Sequence, residues 1–141
     1  MAQGNPYKAY ETTNVGTADQ RHLILMLYDG AIRFMKKSVG KIEARDFEAS
    51  HNYLVRSREI VSELLSTLKA EKAGEVGQNL KRLYVYMYNR LVEANLMKDP
   101  AMVEEVIRIM STLRDGWANI KPETRRINNA PEANRKVNLT M

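Results

Sequence analysis

Apolar residues recur at steps of three and four along four separate stretches of the chain, and each stretch reads as one face of an α-helix. The first comprises Ile24, Leu27, Ala31, Met35, Val39 and Ile42. The second comprises Phe47, Leu54, Val61, Leu64 and Leu68, with Ser50 and Ser57 at seam positions between them. Val76, Leu80, Leu83, Met87, Leu91 and Ala94 form the third, and Val103, Val106, Met110, Leu113, Trp117 and Ile120 the fourth. Boundary residues agree with this division. Thr17 followed by Gln20 matches a capping box, Asp99 and Pro100 suit the N-cap and first turn of the last helix, and Pro122 stops it. Lys69 and Lys72 are expected near the end of the second helix, where its dipole favours them, with a short connection around Gly74. Four helices of roughly 20 to 28 residues with short connections predict an all-α, antiparallel four-helix bundle over residues 17–120. Residues 1–16 read as an irregular N-terminal arm and residues 121–141 as a loose basic tail.

One stretch resists that reading. In "HLILMLYDGAIRF" a run of apolar residues, Leu23 to Tyr28, is followed by Asp29-Gly30, a local signal for a β-hairpin. A hairpin there would break the register that links Ile24 to Ile42, and its flanks are rich in Leu, Met, Ala and Lys rather than β-branched residues. Asp29 also stands four residues before Arg33, a spacing that supports a helical ion pair. The helix prevails, from about residue 18 to 44. Gly30 then costs about 1 kcal/mol relative to alanine, and the compensation expected is close packing on more than one side.

The chain's 141 residues suit one domain with a real core. It has no cysteine, which excludes disulfides and thiolate chemistry. No apolar run approaches the roughly 20 residues of a membrane span, and the N-terminus is polar, so the expectation is a cytoplasmic protein without stable membrane insertion. The net charge of +5 is concentrated late, with Lys121, Arg125, Arg126, Arg135 and Lys136 against Glu123 and Glu132. That tail sustains a competing reading, a nucleic-acid-binding or regulatory helical protein; solubility is the commoner use of such a tail, and no nucleic-acid partner is expected.

Catalytic chemistry is sparse. His22 and His51 stand outside any metal-ligating pattern, Glu104 and Glu105 point about 100° apart on a helix, and no phosphate loop or nucleophile motif occurs. No enzyme, cofactor or metal is expected. What stands out is surplus apolar surface, since a bundle helix needs only about three apolar positions in seven. Leu23 and Leu27 belong to the all-apolar run, Tyr84 and Tyr88 share a face of the third helix with Leu91, and Tyr53 and Ile60 flank the second seam. These seven are the candidate groove for a partner's amphipathic helix, although Leu27 and Leu91 serve a core equally well.

The motifs "YETTNV", "LILMLYDGAI", "GEVGQNL" leading into "LYVYM", "RLVEAN" and "LRDGW", in that order, resemble the flagellar secretion chaperone family, FliS, from about Tyr7 to Ile120. The resemblance implies a helical bundle that binds the disordered C-terminal segment of flagellin, prevents its premature polymerisation and assists delivery to the flagellar export gate. It also implies that the arm residues Tyr7, Tyr10 and Val15 pack on the bundle and contact the gate, and it leaves a homodimer open as a further partner. Asn79, Arg90 and Asn95 are polar members of the matching motifs, with Asn95 expected as a cap or an interhelix hydrogen bond. The chain departs from the family pattern at Asp19-Gln20, Ala73, Val85 and Gly116, none of which removes the proposed groove.

Overall fold

The computed structural model describes residues 17–68 and 70–120, with the side chains of residues 17–19 and 70–73 excepted. Four helices account for nearly all of it: α1 (Thr17–Glu43), α2 (Phe47–Thr67), α3 (Ala70–Met97) and α4 (Pro100–Ala118). Asp29 and Gly30 lie inside α1, so no hairpin forms. Helix α1 packs beside α2 and α4, and α3 closes the square against the same two. Short connections make successive helices antiparallel, an up-down-up-down bundle.

The core is the set of side chains on which the four stripes converge. Ile24, Leu27, Ala31, Met35 and Ile42 of α1 meet Leu54, Val61 and Leu64 of α2, Met87, Leu91 and Ala94 of α3, and Val103, Val106 and Met110 of α4. Three serines are fully buried among them. Each spends its hydroxyl on its own helix: Ser38 donates to the Met35 carbonyl (2.7 Å), Ser50 to Phe47 (3.0 Å) and Ser57 to Tyr53 (2.9 Å). A small side chain satisfied in this way costs the seam no unpaired polar group.

Two helix boundaries differ from the sequence reading. Helix α2 ends at Thr67, its last turn holds no basic residue, and Leu68 is already extended. Lys69 lies outside the described residues, and Lys72 falls in the first turns of α3. Lys72 therefore does not sit at the C-terminal end of α2, because the turn begins earlier than the charge pattern suggests. The break expected around Gly74 is present as an interruption within α3, where Gly74 adopts φ 71° and ψ −143°. On α3 the buried stripe runs through Tyr84 rather than Leu83, and Val76 is exposed.

The turn joining α1 to α2 is a Schellman-type closure. The Asp46 N–H donates to the Lys41 carbonyl (2.8 Å) and the Arg45 N–H to that of Ile42 (2.9 Å), with Arg45 left-handed at φ 61°. Asp46 then caps α2 by accepting from the Ala49 N–H (3.2 Å). A Cβ in the left-handed region costs roughly 1–2 kcal/mol, which glycine avoids. Arg45→Gly should therefore raise the free energy of unfolding by about 0.5–1 kcal/mol, read as a higher urea midpoint at unchanged slope. A lower midpoint would mean that the Arg45 guanidinium, 5.2 Å from the Phe47 ring centroid, outweighs the backbone strain.

Candidate partner-binding surfaces

The apolar run of α1 is packed all round: Leu23, Ile24, Leu27 and Tyr28 are buried, Leu25 and Met26 are half-buried, and Gly30 is buried as well. This places five of the seven groove candidates inside the molecule. Leu27 and Leu91 are fully enclosed, and Leu23, Ile60 and Tyr84 expose no more than 3% of their surface. The physical reason is the breadth of the core, which takes more than one stripe from α1 and α3. Tyr53 and Tyr88 are half-buried and reach solvent, on opposite sides of α2. Tyr53 stacks on Phe34 of α1 with centroids 6.0 Å apart, whereas Tyr88 of α3 lies under the Arg58 guanidinium at 5.8 Å. The arm residues Tyr7, Tyr10 and Val15 lie outside the described residues.

Tyr84 owes its burial to a polar partner that the sequence did not disclose. Its hydroxyl meets that of Tyr28 at 2.5 Å, from the diagonally opposite helix, and either can donate. Burial raises both hydroxyls above the ordinary tyrosine value, Tyr28 strongly, while the hydrogen bond with Tyr28 and then Trp117 act in the opposite sense on Tyr84. Each phenol thus brings its ring to the core without stranding its oxygen.

Charged residues tie the helices together at the rim. Asp29 pairs across the bundle with Arg114 (2.9 Å), not along its own helix with Arg33. Glu105 accepts from the Tyr86 hydroxyl (2.6 Å) and from Arg90 Nε (2.7 Å), joining α4 to α3, and these two donors hold its carboxyl below the usual range. Arg90 also pairs with Glu93 (3.0 Å). Asn95 bonds to His51 Nδ1 (2.8 Å) and accepts from Lys98 Nζ (2.6 Å), an interhelix role as expected. At the other end Arg21 of α1 donates from Nε to the Trp117 carbonyl (3.2 Å) and from Nη2 to that of Ala118 (3.0 Å). Helix α4 has no basic residue in its own last turn, so this arginine satisfies its final carbonyls from outside.

A cleft of about 280 Å³ between α2 and α3 is lined by Val55, Arg58, Glu59, Ser62 and Tyr88. Arg58 Nε is buried there without a hydrogen-bond partner. A donor left in that state favours a ligand that brings an acceptor. A second depression, on the outer side of α3, includes Val85 and Tyr86. Leu96 and Met97 at the end of that helix are largely exposed, 80% and 65%. Among the described residues no cluster of three or more His, Asp or Glu could hold a metal ion, and no helix is long and apolar enough to cross a membrane.

Comparison with known proteins supplies a family for this four-helix chain. Residues 3–124 match the family described as Flagellar protein FliS. The chain belongs to the FliS family. A flagellar secretion chaperone FliS from Bacillus subtilis (strain 168) is 38% identical over 117 residues, covering 83% of this chain and 86% of the relative. The Salmonella typhimurium protein of the same name is 35% identical over 128 residues (87% and 95%), and that of Campylobacter jejuni 33% over 120 residues (85% and 94%). FliS proteins are chaperones rather than enzymes, and the all-helical four-helix architecture described above is consistent with that family.

Proposed function

We propose that this chain is a cytoplasmic flagellar secretion chaperone that binds the disordered C-terminal segment of flagellin, holds it from premature polymerisation and assists its delivery to the flagellar export gate. The observation that carries the reading is the FliS match along residues 3–124, together with relatives named as flagellar secretion chaperones. The client folds on binding, so apolar area buried on the bundle offsets the entropy of ordering the segment. Tyr88 leads the contact, with the unpartnered Arg58 Nε–H beside it donating to a client carbonyl or carboxylate oxygen. Leu23, Leu27, Ile60, Tyr84 and Leu91, being buried, support this surface through the core, whereas Tyr53 lies on the other side of α2, outside the client cleft. Tyr7, Tyr10 and Val15 of the arm make the gate contact.

The test is a calorimetric titration of the full chain with the C-terminal segment of its cognate flagellin, paired with circular dichroism. Saturable heat and a gain of helical signal beyond the sum of the separate components are expected. Absence of both overturns the proposal.

A further inference from the structure

A cleft of about 480 Å³ lies between α1 and α2, on the side of α2 away from Tyr88. Its floor is the stacked pair Phe34 and Tyr53, whose ring planes are 26° apart. Three cations stand over these rings: the Arg33 and Arg56 guanidiniums 5.7 and 5.6 Å from the Phe34 centroid, and Lys37 Nζ 5.9 Å from that of Tyr53. Asn52 adds an amide. No carboxylate lines the cleft, and none of the three cations forms an ion pair among the described residues.

The ring faces attract the cations but leave their net charge uncompensated. A guanidinium held over an aromatic ring still has N–H groups to offer, the fork that fits a carboxylate. Three such charges around an apolar floor select an anionic ligand that also carries an apolar group. The chain's own extensions do not supply one: residues 1–16 hold one lysine and one glutamate, and residues 121–141 hold five basic residues against two glutamates. A nucleic acid would find the cationic row extended by Lys41, one turn after Lys37 on α1, but not along α2. On α2, Glu48 stands one turn beyond Asn52, where a continuing phosphate backbone would meet like charge.

We propose that the α1/α2 cleft is a second docking site, separate from the client cleft, for an acidic segment of another protein. Carboxylates of that segment engage Arg33, Lys37 and Arg56, and an aromatic side chain between them seats against Phe34 and Tyr53. Because α1 and α3 flank α2 on different sides, both clefts are accessible at once, and the bundle joins its client to a second protein.

The probe is a short fluorescein-labelled peptide of Asp and Glu residues around two phenylalanines, followed by fluorescence anisotropy with the full chain. Saturable binding is expected, weakened at least roughly tenfold by the charge reversals Arg33→Glu and Arg56→Glu together. The milder pair Arg33→Gln and Arg56→Gln should weaken it about three- to tenfold and guards against misfolding of the reversed variant. Reversal of two exposed cations elsewhere, Lys81→Glu and Arg108→Glu, should cost less than about threefold, the effect of net charge alone. Both cleft variants should still bind the flagellin segment. The proposal is overturned by absence of peptide binding, or by equal weakening from cleft and distant reversals. Tighter cleft-dependent binding of single-stranded DNA of equal charge, or loss of flagellin binding in a folded cleft variant, also overturns it.

Discussion

Leu91→Ala should lower the free energy of unfolding by about 2–5 kcal/mol, the cost of deleting a buried side chain and leaving a cavity that the neighbouring helices only partly fill. Leu91 has no exposed surface and lies in the cluster with Leu54, Met87 and Val106, so nothing outside the bundle replaces its contacts. Tyr88→Ala removes a half-buried ring at the mouth of the α2/α3 cleft and should cost the fold far less. Its expected effect lies in binding, where loss of a central aromatic contact costs more than about 1 kcal/mol, or roughly fivefold or more in affinity for the flagellin segment. Urea unfolding and calorimetry on the same two proteins separate the roles. A Leu91→Ala protein that is fully folded yet fails to bind would move that residue from the core to the client surface.

The largest pH effect should come from the diagonal tyrosine pair. Burial raises both hydroxyls above the value of 10.0 at which a free tyrosine titrates. Below about pH 9 neither state ionises and stability is unaffected by them. As pH climbs past 10 the unfolded chain releases these protons while the folded one keeps them, so stability falls, by up to about 1.4 kcal/mol per pH unit for each tyrosine. Substituting both, Tyr28→Phe with Tyr84→Phe, should flatten that alkaline slope. At neutral pH the single changes should each cost about 1–3 kcal/mol by stranding the remaining hydroxyl, and the double variant less than their sum. Additive losses with an unchanged alkaline slope would show that the 2.5 Å contact contributes nothing to the fold.

Much of this architecture was legible in the sequence because helical periodicity is a local property. The first stripe could be read from spacing alone, as could the second and fourth apart from their exposed end members Phe47 and Ile120, and Asp99 with Pro100 marked the start of α4 where the Asp99 carboxylate accepts from the Ala101 N–H. The α3 register slipped at Leu83 and Tyr84, adjacent residues either of which suits a core, and only the Tyr28 hydroxyl across the bundle decides between them. Asp29 was equally ambiguous: the nearby Arg33 satisfied a local rule, while its actual partner lies 85 positions away. The left-handed turns at Arg45 and Lys98 carry no glycine to announce them. The candidate surfaces were less legible still. Tyr53 and Tyr88 looked alike as surplus aromatics, yet the fold sends them to different clefts with different charge. The positive charge that matters to the α1/α2 cleft is hidden in a tally, since acidic residues elsewhere on the bundle balance it.

The Arg21 latch fixes more than a helix end. With its Nη2 3.0 Å from the Ala118 carbonyl, the beginning of α1 and the end of α4 sit side by side at one pole of the bundle. Force applied between the two ends of the bundle would therefore meet its contacts one at a time, peeling α1 from α4 beginning at that arginine, instead of loading the whole interface in shear. An antiparallel pair pulled from adjacent ends is a zipper. Traction applied near this pole would find the weakest mechanical direction of the bundle there, while the opposite pole, closed by the turns at Arg45 and Lys98, stays intact until the last.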